Sequence, residues 1–191
     1  MRFKSLFLLT LLVCAGCAET PKQVALPPPP DPKTLMPALE TRIAVLIEEE
    51  RERINVKARP LVIDPELSGI ARKRAIDMAA KNYFAHTAPN GETSASILMD
   101  TDPRFQGLLG ENMGAEHYTK QIGVDVNKFA RAIVDQWLNS PQHRDNLTMA
   151  DYNLTGVGAA VNGDTVYVTE LFATDLGLGP HEDKTPKPPG S

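Results

Sequence analysis

Cysteine is almost absent from this 191-residue chain, because only Cys14 and Cys17 occur and both lie close to the start. The rest of the chain therefore has no thiol for a disulfide, a redox pair or a cysteine nucleophile. Clusters of lysine and arginine are also missing, and the net charge is −4 at pH 7. We therefore expect no binding to nucleic acid, which requires a positive surface. With 42% hydrophobic residues, the composition predicts one globular domain.

The beginning of the chain has the pattern of an export signal. Two basic residues precede an apolar run over 6–13 that is too short to span a bilayer. The phrase Cys14-Ala15-Gly16-Cys17 that follows resembles the acylation motif of bacterial lipoproteins. We expect residues 1–16 to be removed as a signal peptide and Cys17 to carry a lipid, with ordinary cleavage near Ala18 as the alternative. In a Gram-negative source, this pattern is typical of sorting to the outer membrane.

Proline marks both ends of the predicted domain. Residues 21–37 contain seven of the sixteen prolines, which favours an extended polyproline stalk, and we assign residues 17–37 to a linker that follows the lipid. Residues 177–191 contain four more prolines among charged residues, and we expect this tail to be disordered. The domain itself is predicted to cover residues 38–176.

Apolar residues repeat at helical spacing through much of this domain. Asp64-Pro65 is a strong helix start, because the aspartate can cap the helix and proline suits its first turn. A weaker pattern over 93–99 allows a short helix, and the glycine-containing stretch 107–115 has no clear period. The strong patterns predict helices over about 35–54, 65–79 and 126–138.

The last part of the domain has the pattern of strands. Residues 156–161 and 165–172 are joined through Asn162-Gly163-Asp164, which predicts a β-hairpin with a type I′ turn. Helices followed by an antiparallel hairpin indicate the α+β class.

Three phrases contain residues that could carry chemistry. They are Tyr83-Phe84-Ala85-His86-Thr87, Gly110-Glu111-Asn112, and the segment from Trp137 to Leu147 that includes Ser140-Pro141 and His143-Arg144. Together with a terminal Gly-Val-Gly hairpin, and in this order, they resemble the CAP superfamily. This superfamily contains the cysteine-rich secretory proteins, antigen 5 and the plant pathogenesis-related proteins, and the likeness is strongest to its compact bacterial members. It covers roughly residues 38–175.

The resemblance implies a three-layer α-β-α sandwich with a central antiparallel sheet, and a cleft lined by His86, Glu111 and His143. Many family members have a second glutamate three positions after the tryptophan, where this chain has Ser140, so the cleft set is incomplete. His117-Tyr118-Thr119 is similar to another family phrase, but it precedes Trp137 where the family phrase follows it. We therefore place His117 outside the cleft.

Two imidazoles and a carboxylate suit zinc, which makes His86 and His143 candidate metal ligands. These residues do not require a cofactor, but they are compatible with a divalent metal such as zinc. The wide spacing of the two histidines does not place them together, and separate surface histidines are the alternative. Glu111 has its own alternative role as a buried carboxylate that accepts backbone amides.

The tryptophan phrase also has structural interpretations. Trp137 lies on an apolar helical stripe and is expected in the core. Ser140-Pro141 has the pattern of an N-cap followed by a first-turn proline, and Arg144 is expected to form a structural ion pair.

Three functions fit these observations. The first is a lipid-anchored, non-enzymatic module of the cell envelope that binds a small lipid, a glycan or a protein in the His/Glu cleft. The second is a metal-assisted hydrolase in which Glu111 activates a metal-bound water. The third is an envelope adhesin or structural protein. We favour the first, because the sequence offers neither the fourth cleft residue nor an identifiable oxyanion donor.

Overall fold

The computed structural model describes residues 27–174. The predicted signal peptide, the Cys17 lipidation site and the tail over 177–191 lie outside the described residues. No helix within 27–174 is long and apolar enough to cross a membrane. The elements in this part of the chain are α1 (Pro32–Ile54), β1 (Val62–Ile63), α2 (Pro65–Lys81), α3 (Ser94–Thr101), β2 (Leu109–His117), α4 (Val126–Asn139), α5 (Pro141–Thr148), β3 (Leu154–Asn162) and β4 (Thr165–Ala173).

The four strands form one sheet in the order β1-β3-β4-β2. Strand β4 pairs antiparallel with both β2 and β3. The short β1 pairs parallel with β3, so the sheet is mixed rather than wholly antiparallel as predicted. The α+β sandwich itself is confirmed, with helices on both faces of this sheet.

Strand β4 shows how the layers are arranged, because it is buried on both faces over its whole length. Val168 and Phe172 pack in one cluster with α1, α4 and the end of α5. Leu171 and Ala173, which alternate with them, pack in a second cluster with α2 and α3. Successive side chains of a strand point to opposite faces, so these two clusters define the outer layers. Trp137 is fully buried in the first cluster, as predicted.

Helix α1 begins earlier than the proline pattern suggested. Asp31 caps it by accepting a hydrogen bond from the Lys33 amide at 3.0 Å, and Pro32 occupies the first turn. Proline is tolerated there because the first amides of a helix have no partner within the helix. The predicted linker therefore ends at Asp31 instead of residue 37, and the helix continues through Pro37.

The β3–β4 hairpin agrees with the sequence except for its turn. Asn162 pairs with Thr165, which leaves Gly163 and Asp164 as a two-residue loop. Only Gly163 has a positive φ, of 62°, so the backbone matches a type II′ turn and not the predicted type I′. Gly156 and Gly158 in β3 have a different role, because a Cβ at either position would overlap the backbone of α2.

Strand β2 is the edge strand that positions the candidate site. It pairs with β4 along all nine of its residues, although the sequence over 107–115 had no clear strand pattern. Its outer edge is partly covered by side chains from the helices. Asn146 donates to the Glu111 carbonyl at 3.2 Å, and the Trp137 indole donates to the Met113 carbonyl at 2.7 Å. This cover satisfies backbone groups that an edge strand leaves unpaired.

Candidate functional site

His86 and Glu111 form the centre of the candidate site. His86 Nδ1 lies 2.6 Å from Glu111 Oε1, and the other oxygen of the carboxylate accepts a hydrogen bond from the Ser94 hydroxyl. The side chain of Glu111 is 11% exposed, whereas that of His86 is 59% exposed. The carboxylate is thus held inside the protein, and the imidazole faces the solvent.

Three elements bring these groups together. Glu111 has the same strand parity as Leu109 and Met113, which pack toward α2 and α3, so its side chain lies on that face of β2. His86 lies in the loop that follows α2. Ser94 is the first residue of α3 and is buried. The loop and the two elements therefore meet at the edge of the sheet.

His143 approaches the same edge from the opposite layer. It lies in the first turn of α5 and is partly buried. Burial lowers the pKa of His143, and the electrostatic interaction with His86 lowers it further. Asn112, the neighbour of Glu111 in β2, donates to the His143 carbonyl at 3.0 Å, so both histidines lie beside the same part of β2, although they are 57 positions apart in the sequence. The neutral form of His143 is favoured at neutral pH.

His117 lies apart from this group. It is the last residue of β2, six positions from Glu111, which is roughly 20 Å along an extended strand. Its Nδ1 is 2.9 Å from the Thr165 hydroxyl and 3.7 Å from an oxygen of Asp164, beside the hairpin turn. Its surroundings are therefore those of an exposed turn rather than a cleft.

The residues of the site do not fit a zinc centre. Zinc in proteins is held by at least three protein ligands, and the site offers the two imidazoles. Both oxygens of Glu111 are already engaged by side chains of the protein. Within residues 27–174, no group of three or more His, Cys, Asp or Glu side chains is arranged to hold a metal ion.

Three structural expectations need correction. The Glu111 carboxylate accepts hydrogen bonds from side chains and not from backbone amides, because it points toward α3 and the His86 loop. Ser140 stands at the N-cap position of α5, but its side chain makes no capping hydrogen bond. It also ends α4, where its amide donates to the Trp137 carbonyl. Arg144 is exposed and has no ion pair with the described residues.

Two polar residues outside the predicted phrases also shape the site. Ser94 fixes the second oxygen of Glu111. Arg74, a buried residue of α2, donates to the backbone carbonyls of Ala85 and His86 at 2.8 and 2.9 Å. Neither residue belongs to a sequence motif that suggests catalysis or binding. The position of Arg74 on the buried face of a helix is nevertheless a sign of a structural role. A charged residue at a core position must have several partners there.

Comparison with known proteins identifies the family. The sequence profile of the cysteine-rich secretory protein family, CAP, matches residues 50–174, which is more than half of the chain. The chain belongs to the CAP family. The protein YkwD of Bacillus subtilis strain 168 is 29% identical to it over 126 residues. That match covers 66% of this chain but 44% of YkwD, so this CAP protein spans less than half the length of its relative.

Two solved CAP-like structures have similar folds. An extracellular protein with an SCP domain from Bacillus anthracis has a TM-score of 0.59 and 28% identity, covering 79% of this chain and 45% of that one. An outer surface protein from Borrelia burgdorferi also has a TM-score of 0.59, with 24% identity, covering 72% of this chain and 92% of that one. The second likeness establishes the shared fold alone.

Proposed function

We propose that this CAP protein is an exported module of the cell envelope, anchored by a lipid on Cys17, that binds a ligand at the cleft of His86 and His143 without transforming it. The export signal and acylation motif support the anchor. The Bacillus anthracis relative is described as extracellular, which agrees with export.

The observation that carries the binding role is the state of Glu111. Its two oxygens accept from the Ser94 hydroxyl and from His86 Nδ1, and its side chain is almost buried. A general base must have a free oxygen within reach of the proton that it removes. We therefore assign Glu111 to orienting His86 rather than to activating a metal-bound water.

The groups around the two imidazoles give no support to covalent catalysis within residues 27–174. A serine nucleophile is activated by a hydrogen bond to a neighbouring base. Among residues 27–174, no serine hydroxyl donates to His86 or His143; Ser94, the serine in the site, donates to Glu111 instead. Cysteine is absent from the described residues. We therefore assign the imidazoles of His86 and His143 to ligand binding.

The protonation of these imidazoles favours a class of ligand. A carboxylate only accepts hydrogen bonds, so His86 Nδ1 carries a hydrogen and donates it to Glu111. In the neutral ring, Nε2 is then an acceptor. The lowered pKa of His143 favours the neutral form of that ring, which suits hydroxyl and amide groups better than anions. We propose an uncharged, hydroxyl-rich ligand such as a glycan.

The test is native mass spectrometry of the full-length chain released from detergent micelles. The protein is first incubated with soluble glycan fragments from bacterial envelopes, and separately with zinc. We expect a retained glycan mass for the native chain and for His117→Ala, the control at the far end of β2. His86→Ala and His143→Ala are expected to reduce the retained fraction at least tenfold.

Other results would redirect the proposal. Retention of a lipid or a protein in place of a glycan, with the same dependence on His86 and His143, would keep the binding role and change the ligand class. Stoichiometric zinc that is lost in both histidine variants would contradict the proposal and favour the metal-assisted hydrolase.

A further inference from the structure

Arg74 is an unusual residue for the middle of a helix that packs on a sheet. It lies in α2, is 1% exposed and is surrounded by the small and apolar residues of that helix. Burying a guanidinium is costly unless hydrogen bonds replace its water. The hydrogen-bond partners of Arg74 therefore indicate the role of a buried positive charge at this position.

All the hydrogen bonds of Arg74 go to the loop that carries His86. Nη2 donates to the carbonyls of Ala85 and His86, at 2.8 and 2.9 Å. Nη1 donates to the Tyr83 hydroxyl at 2.9 Å, and that hydroxyl donates to Asp77 of α2 at 2.6 Å. One side chain thus holds both ends of the segment from Tyr83 to His86.

This segment has few other constraints. Helix α2 ends at Lys81 and is followed by the cap residue Asn82, which has a left-handed conformation with a φ of 54°. The loop after it has no helix or strand of its own. Phe84 is 51% exposed and the His86 ring 59% exposed, so packing contributes little to their position. The bond from His86 to Glu111 fixes the ring to β2, while Arg74 fixes the backbone to α2.

We propose that Arg74 is a positioning residue, which holds the His86 backbone so that Nδ1 stays on the Glu111 carboxylate and Nε2 faces the cleft. This inference rests on the proposed function, because it assigns to α2 the task of preparing the binding site. It predicts that loss of Arg74 releases the His86 ring even when the fold survives.

The tautomer of the His86 ring provides the test, and it is read from the ring nitrogen shifts in a ¹⁵N spectrum of the full-length, ligand-free chain. A ring that donates from Nδ1 to Glu111 has one fixed tautomer, and a released ring gives averaged shifts. Glu111→Leu, which removes the acceptor, supplies the reference for a released ring. The spectrum is recorded at a pH where the ring is neutral.

We expect the native chain to show the Nδ1–H tautomer and Arg74→Met to move more than halfway toward the Glu111→Leu shifts. Arg74→Lys, which keeps one donor, is expected to recover part of the native signature. Arg72→Met is the matched control, because Arg72 belongs to the same helix but pairs with Glu40 instead of the loop. Its His86 shifts are expected to stay native.

Tyr83→Phe keeps the test decisive if Arg74→Met fails to fold. It removes one hydroxyl that bridges Arg74 and Asp77, and a smaller shift in the same direction is expected. Native His86 shifts in a folded Arg74→Met chain, or in both Tyr83→Phe and Arg74→Lys, would overturn the proposal. Because the measurement needs no ligand, failure of glycan binding and failure of this inference are distinguishable.

Discussion

Asn112 Nδ2 donates a hydrogen bond of 3.0 Å to the backbone carbonyl of His143. This bond ties the edge strand β2 to the first turn of α5, and the Asn112 oxygen accepts in turn from Asn146 at 3.0 Å. Two neighbouring residues of β2 thus hold the two imidazoles by different means. Glu111 fixes the ring of His86, whereas Asn112 fixes the backbone of His143.

Replacing Asn112 with alanine should destabilise the domain by about 2 kcal/mol, because it leaves buried polar groups without partners. Asn112 is 0% exposed and has no access to water that could replace these bonds. Urea unfolding of the full-length chain measures the change. Asn127→Ala, at an exposed position in the first turn of α4, is the control and should change stability by less than about 0.5 kcal/mol. Equal effects of the two variants would contradict the role of Asn112.

His86→Ala should raise the pKa of His143. Burial is the larger cause of the lowered pKa and remains in the variant, so the value should stay below the ordinary 6.5. The smaller cause, the charge of His86, is removed. Histidine NMR titration gives the result, with His117→Ala as the control. An unchanged His143 titration would mean that the two rings do not share a site.

The buried Glu170 should make stability fall as the pH rises. Its carboxyl is 0% exposed, and burial raises its pKa well above the ordinary 4.5, although Thr155 and Arg51 favour the charged form. The folded protein therefore keeps a proton that the unfolded chain loses, so this contribution to stability is complete below pH 4.5 and is lost as the pH rises through the folded pKa. Glu170→Gln should remove this decline in unfolding free energy measured across pH. A variant with the same pH slope as the native chain would contradict the assignment.

Ser140→Ala should be almost neutral, with a loss below about 0.5 kcal/mol, because the hydroxyl does not cap α5. Asp64→Ala is the matched comparison, since the Asp64 carboxylate accepts from the Leu67 amide at 2.8 Å and caps α2. Its loss should cost about 1 kcal/mol. Thermal melts of both variants test the contrast, and a larger loss for Ser140→Ala than for Asp64→Ala would contradict it.

The sequence was informative where local pattern and tertiary packing agree. Helix α2 has its cap, its first-turn proline and its apolar stripe within one short segment, and it forms as predicted. Strand β2 was missed because Gly110 and Gly114 interrupt its pattern, and β-branched residues are absent from Leu109–His117. The strand is stabilised by its pairing with β4, which lies far away in the sequence, and not by the intrinsic strand propensity of its residues.

The candidate site was predicted from phrases that resemble a family, and spacing alone could not have assembled it. His86 and His143 lie on opposite layers and meet at the edge of β2, an arrangement that depends on strand order. Ser94 has no local signature, because its role comes from its contact with Glu111 in β2, and Arg74 is indicated only by its position on the buried face of α2. The corrections at Ser140 and Arg144 have a similar cause, since sequence pattern predicts a backbone position more reliably than a side-chain partner.

The central claim, that the cleft binds without transforming its ligand, is tested most directly by the mass of the ligand after prolonged incubation. A glycan that is retained by the native chain is incubated with it, released by denaturation and weighed by mass spectrometry. The account predicts recovery of the unchanged mass in amounts that match the bound fraction. Cleaved or modified glycan that forms with the native chain and His117→Ala, but not with His86→Ala or His143→Ala, would contradict it and make the cleft an active site.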